Sequence, residues 1–335
     1  MNPMNNNFNN NSYNIYYDPQ KAIRKWMFIH GSGAGLAVLG FLFIQFLASF
    51  VIGFLAVFMS NNAPEYIQSI LNNYLITGII SILSCILPFS VYALIAKVDI
   101  KSSYKKSNLS AGFKVSLYFI AIGVCMAANY VSDIVQRIFS IFGLQPVMPD
   151  IYVPKDPANI ILFFIAIAVI PAIVEEFATR VVLLNSLKKW GEKFAIIISA
   201  TVFGLMHGNF VQIPFAFVVG LMLGYLAVKT GTIWLSMLVH FSNNFISALL
   251  SVLGNYLNSY VIVILNIVTM IAPILIGIIV FLIVTLRQKY SLALTPQQPL
   301  AIKRSEAAFY YFISPAMLIA IGVLMWMATT MIQTI

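Results

Sequence analysis

The sequence predicts an all-α, polytopic transmembrane helical bundle of about nine spans (eight to nine), with an interior polar cavity. Three observations predict it. The chain of 335 residues is 61% hydrophobic and its mean hydropathy is +0.92. Only 9% of its residues are charged, against about 25% in soluble domains. So few charges cannot cover a soluble surface of this size, whereas a bilayer accepts it. Finally, apolar stretches recur at close to the about 20 residues that a helix needs to cross the hydrocarbon.

Residues 1–20 are rich in Asn and Tyr and carry one charge, Asp18. No basic region followed by a short apolar stretch opens the chain, so no cleavable signal peptide is expected. Residues 1–26 read as a disordered cytoplasmic tail, and residues 27–335 as the transmembrane domain. Nine apolar segments follow, at about 35–59, 75–96, 115–135, 158–187, 194–211, 212–228, 231–254, 260–286 and 309–333. The fifth and sixth are short and meet at His207–Pro214.

The basic residues orient these segments. With the N-terminus inside, the cytoplasmic stretches hold Lys21, Arg24 and Lys25, the five lysines between Lys97 and Lys114, Lys188, Lys189, Lys193 and Lys229. Arg287, Lys289, Lys303 and Arg304 complete sixteen of the nineteen. The outer loops hold Arg137 and Lys155, and Arg180 lies within a span. This asymmetry predicts nine spans, with the N-terminus in and the C-terminus out. It also explains the net charge of +9 without nucleic acid. Cys85 and Cys125 both lie in apolar segments and read as small buried residues. No repeat and no soluble domain is expected.

Ionisable groups within spans are functional candidates by default. Asp133 lies near the outer end of its segment and is expected to reach the interface. The others form three clusters. In Glu175-Glu176-Phe177-Ala178-Thr179-Arg180, Glu176 and Arg180 stand at i, i+4 and can pair on one face. Glu175 has no such partner. Pro171, four residues earlier, removes a backbone hydrogen bond and frees the carbonyl of Ile167. The second cluster runs from Phe203 to His207. In the third, His240 and Asn244 stand at i, i+4, so their polar groups share a face. Counted from the nearest cytoplasmic lysine, Glu175, His207, His240 and Asn244 all lie roughly 17 to 23 Å deep, so the four side chains can meet.

A carboxylate, two imidazoles and a carboxamide can hydrolyse an amide without a protein nucleophile. Glu175 and His207 would hold and deprotonate a water. His240 and Asn244 would donate to the oxyanion. Zinc held by Glu175, His207 and His240 is the alternative, although a carboxamide is a poor zinc ligand. Other intramembrane protease chemistries lack their residues. There is no His-Glu-x-x-His, no second intramembrane Asp to pair with Asp133, and no Gly-x-Ser-Gly. Gly31-Ser32-Gly33-Ala34-Gly35 opens a membrane helix and follows no strand, so it is not a phosphate loop.

In these motifs the chain resembles the CPBP family of CAAX proteases and bacteriocin-processing enzymes, also called the Abi or Rce1-type family. Its pattern is Glu-Glu-x-x-x-Arg, Phe-x-x-x-His and His-x-x-x-Asn, in that order on successive helices. The resemblance covers about residues 110–255. It implies Glu175 as base, His207 as its partner on the water, and His240 with Asn244 as oxyanion donors. Glu176, Arg180 and Phe203 then support the site. It further implies an intramembrane endopeptidase without a cofactor, or with zinc if the family's metalloprotease label holds. The substrate would be a membrane-associated protein or peptide, of CAAX or leader/bacteriocin type. A non-catalytic partner-binding or immunity protein is a further alternative. A transporter is disfavoured because no inverted repeat is visible. The compact spans point to a prokaryotic cell membrane.

Overall fold

The computed structural model describes residues 18–59, 73–149, 151–296 and 299–335. It is a helical bundle. Helices α1 (Pro19–Met59), α2 (Tyr74–Ile95) and α3 (Ala111–Ile141) come first. A short strand β1 (Leu144–Pro146) leads to α4 (Pro157–Trp190), which is continuous but changes pitch along its length. Then follow α5 (Glu192–Leu205), α6 (Gln212–Thr230), α7 (Trp234–Leu253) and α8 (Ser259–Arg287). The chain ends with α9 (Arg304–Phe312), α10 (Pro315–Thr330) and β2 (Ile332–Thr334).

Local sequence starts several of these helices. Asn73, Ser110, Asp156 and Asn258 each accept backbone N–H groups at the first turns of α2, α3, α4 and α8. Such caps satisfy donors that a helix start leaves unpaired. Pro157 follows Asp156 at the first position, where its missing N–H does no harm.

All nine expected segments are helical, but they do not give nine long spans. Among the described residues, seven helices are long and apolar enough to cross a membrane, or eight with a bent pair counted as one. The shortfall has two physical causes. First, α5 has 14 residues, about 21 Å of helix against a hydrocarbon core of about 30 Å. It stops at Leu205 because a built turn follows. Gly208 takes φ +62°, and the side chain of buried Asn209 accepts from the backbone N–H of Gln212 at 2.9 Å, opening α6. Second, the last segment breaks between α9 and α10 with a 74° bend, where Pro315 begins a new helix.

One boundary shifts as well. The expected tail ended at residue 26, but α1 begins at Pro19, and Ile23 and Met27 are buried. Residues 1–17 of that tail lie outside the described residues. The fold is all-α except for β1 and β2, which pair antiparallel with Gln145 opposite Gln333.

Hydrogen bonds define two ends of the bundle. At the lysine-rich end, Thr232 donates to the Ser103 carbonyl, Lys229 Nζ to the Ala293 carbonyl, and the Thr295 N–H to Glu192. At the other end, Asn255 and Tyr256 donate to carbonyls of residues 153–155. The β1–β2 pair ties the C-terminus to the loop after α3. Reporter fusions after residues 147 and 335 should therefore read one side of the membrane, and a fusion after residue 106 the other. Opposite readings at 147 and 335 would contradict the strand pairing.

Among the described residues three buried clusters hold the helices, and the two largest join most of them. One joins α1, α2, the C-terminal half of α4, α5 and the α9–α10 corner through Met27, Phe89, Leu183, Phe194 and Tyr311. The other joins α3, α6 and α7 through Leu117, Cys125, Leu223 and Val239. Cys85 and Cys125 are buried and free, as expected. Lipid does not drive helices together, so close packing at small residues matters. A Cβ at Gly35 would fall within 3 Å of backbone at Met317. The substitution Gly35→Leu should destabilise the protein by about 1–3 kcal/mol. Gly112→Ala, where a Cβ meets nothing within 4 Å, should not. Thermal unfolding of the two variants in detergent checks both.

Candidate functional site

The site begins with a fault in α4. Pro171 has no N–H for the Ile167 carbonyl, and the helix widens into a π segment at Ile165–Val169. A second π segment runs over Phe177–Leu184. Glu175 and Glu176 stand on the short α segment between the two, Ile170–Glu176. π segments insert into helices at functional sites with unusual frequency.

The freed carbonyl is not left empty. Asn244 Nδ2 of α7 donates to Ile167 O at 3.3 Å. Its Oδ1 accepts from Nδ2 of Asn243 at 3.2 Å. One Asn244 N–H is thus engaged in fastening α7 to α4.

Glu176 and Arg180 pair within α4 as their spacing predicts. Arg180 Nη2 lies 3.4 Å from Glu176 Oε1, and both side chains are 0% exposed. The pair is incompletely bonded: Glu176 Oε2, Arg180 Nε and Arg180 Nη2 are buried without a hydrogen-bond partner. Two contacts offset this. The guanidinium carbon sits 4.6 Å from the centre of the Phe203 ring of α5, a cation–π arrangement. Arg180 Nη1 also donates to Thr179 Oγ1, which itself donates to the Glu175 carbonyl at 2.5 Å.

His240 of α7 stands between the two carboxylates. Its Nδ1 is 3.2 Å from Glu176 Oε1, and its Nε2 is 3.7 Å from Glu175 Oε2. A carboxylate only accepts, so Nδ1 carries a proton toward Glu176. Nε2 then donates only in the doubly protonated ring. Glu175 is the accessible carboxylate, with 26% of its side chain exposed against 0% for Glu176.

His207 follows the end of α5. Its Nδ1 is 2.9 Å from the Phe203 carbonyl. A carbonyl accepts only, so Nδ1–H donates and Nε2 is left as an acceptor. The His207 and His240 rings both stand edge-on to Phe203, at 5.0 and 5.9 Å between centroids.

The structure therefore brings Glu175, Glu176, Arg180, Phe203 and His240 together. Phe203 carries His207 to the same place, and Asn244 reaches it through Ile167. Glu175 and His207 are expected to share a water; among the described residues, His207 Nδ1 bonds to the Phe203 carbonyl and the imidazole that meets Glu175 is His240, at 3.7 Å. The expected polar cavity is, at Glu176, Arg180 and His240, a sealed cluster with 0, 1 and 4% exposure. Asp133 is exposed toward the end of α3. The third histidine, His30, stacks on Trp26 at 3.7 Å, remote in sequence from all three motifs. Thr179 and Asn243 were not singled out from sequence, although Thr179 at i+4 from Glu175 is the spacing for a back-bond to the helix.

The zinc alternative can be tested on the donors. Among the described residues, no group of three or more His, Cys, Asp or Glu side chains is disposed to hold a metal ion. Glu175, His207 and His240 are not such a group. No step is routed through a metal.

Residues 157–246 match the family model for type II CAAX prenyl endopeptidase Rce1-like proteins. Over this stretch the chain is similar to the CPBP/CAAX intramembrane peptidase family. The matched stretch runs from the first residue of α4 into α7 and includes every residue of the three motifs. The seven or more helices among the described residues that are long and apolar enough to cross a membrane point to a multi-pass integral membrane protein. Neither curated proteins nor solved structures give a match.

The sealed pair generates a prediction of stability. Glu176→Gln leaves the Arg180 charge buried without its counter-charge and should destabilise the protein by about 3–5 kcal/mol. The double variant Glu176→Gln/Arg180→Met should recover part of that loss, since it removes the stranded charge. Melting curves of both variants decide; a double variant no better than the single would show that the ion pair does not set the effect.

Proposed function

We propose that the protein is an intramembrane endopeptidase that hydrolyses a peptide bond with a water activated by Glu175 and His207. The observation that carries this reading is the meeting of three separate motifs around one arginine and one phenylalanine ring, within the stretch matched by the CAAX-protease family. Unrelated packing residues from three helices have no reason to converge.

Glu175 is the base because it is the accessible carboxylate and has no charge partner in its own helix. It takes a proton from water as the oxygen attacks the carbonyl carbon. His207 accepts the second water hydrogen at its open Nε2, orienting the lone pair. The carbonyl oxygen gains the negative charge. It accepts from the second Asn244 N–H and, in the doubly protonated ring, from His240 Nε2–H. Glu175 then passes its proton to the leaving amine, which closes the proton balance. Glu176 and Arg180 position His240 and do not touch the substrate. The substrate is a membrane-associated protein or peptide.

Glu175→Gln should lower kcat/KM by about 10²–10⁴-fold while leaving the melting temperature near that of the wild type. Cleavage of a labelled CAAX-type peptide library by purified protein measures it. If Glu176→Gln, refolded and soluble in detergent, lost turnover while Glu175→Gln kept it, the base would be the wrong glutamate.

Exhaustive treatment with a strong chelator should leave turnover unchanged. Excess zinc should inhibit by capturing Glu175 and His240. Loss on chelation with recovery at about one zinc per chain would make the hydrolysis metal-dependent.

A further inference from the structure

Two cavities lie at the lysine-rich end, and neither is lined by a residue of the candidate site. The first, of about 250 Å³, is lined by polar and basic groups including Lys106, Ser107, Lys114, Thr230 and Thr232. The second, of about 450 Å³, runs between α3 and α7 and is lined by Val115, Tyr118, Phe119, Leu235 and Leu238, with Lys114 at its head. Lys114 and Leu235 line both, so the two adjoin.

From this adjacency we propose that the two cavities together bind one anionic phospholipid, its headgroup at Lys106 and Lys114 and an acyl chain in the α3–α7 groove. Charge selects the head. Two ammonium groups and no carboxylate line the polar cavity, and basic pockets between membrane helices suit anionic headgroups. Its floor is rigid. Thr230 and Thr232 are buried and donate to backbone carbonyls, and Thr232 ties the floor to Ser103.

Depth selects the source. Tyr104 and Trp234 meet edge-on at 5.8 Å beside the polar cavity and are 40% and 55% exposed. Such amphipathic rings mark headgroup level. Below them, Val115, Phe119 and Leu238 are 55%, 39% and 49% exposed. The groove is thus open sideways to acyl chains rather than closed around a soluble ligand. A peptide backbone would need donors and acceptors along the groove, and its lining side chains below Lys114 are apolar except for the Tyr118 hydroxyl. That hydroxyl is already committed: Tyr118 donates to Ser242 Oγ at 3.0 Å.

The test uses full-length protein in detergent and native mass spectrometry with palmitoyl-oleoyl phosphatidylglycerol or phosphatidylcholine. Phosphatidylglycerol should bind in preference to phosphatidylcholine. Lys106→Gln/Lys114→Gln should weaken it by about thirtyfold and leave phosphatidylcholine unchanged. Leu238→Trp, which fills the groove, should lower both. Glycerol phosphate, a headgroup without chains, should not compete. Unchanged phosphatidylglycerol binding in the lysine double variant overturns the proposal. So does competition by a farnesylated CAAX-type peptide that depends on the two lysines, which would assign the groove to substrate. Lipid binding that survives in Glu175→Gln keeps this outcome separate from that of the proposed peptidase activity.

Discussion

A full ion pair with no exposed surface lies at the centre of this bundle. Glu176 and Arg180 are joined one turn apart on α4, and three of their polar atoms lack hydrogen-bond partners. Taking two charges out of water is expensive, and their attraction repays it only with good supporting contacts. Those contacts come from other helices: the Phe203 ring of α5 over the guanidinium and His240 of α7 against the carboxylate. The pair therefore constrains α4, α5 and α7 to meet here. A rotation of any of them would strand a charge in an apolar interior. Buried ion pairs are weak stabilisers but strong constraints on arrangement, and this one aligns the three motif-bearing helices.

The irregularity of α4 complements that constraint. A regular helix through Pro171 would leave the Ile167 carbonyl without a donor in a medium that offers none. The widened turn and the Asn244 carboxamide answer that need together. The carboxamide that fastens α7 to α4 is thus the one that the motif also sets beside His240. Holding the helices and presenting a donor are compatible because a primary amide has two N–H groups. The same economy holds for His240, whose Nδ1 faces the sealed glutamate and whose Nε2 faces the accessible one.

Much of this was legible in the chain. The composition required a membrane, and the spacing of Glu176 and Arg180 required a pair on one face. Pro171 required a free carbonyl at Ile167. Each follows from covalent geometry within about one turn of helix. The approach of His240 Nε2 to Glu175 was not legible. Equal depth brings side chains to one level but leaves open which way each helix is rotated. His207 also lies past the last turn of α5, where Gly208 and Asn209 redirect the chain.

The sequence by itself determined that the chain is a membrane helical bundle, which end is basic, and which few ionisable groups must be placed in its interior. Local periodicity, loop charge and the cost of burying a charge carry that information. Only the tertiary structure decided that His240 bridges both glutamates, that Asn244 caps the Ile167 carbonyl, and that α5 is too short to span alone. Lipid solvates every apolar face equally well, so hydropathy leaves the rotation and tilt of each helix open. Close packing at small residues and the demand of buried polar groups for partners set them instead, and both depend on atoms from distant parts of the chain.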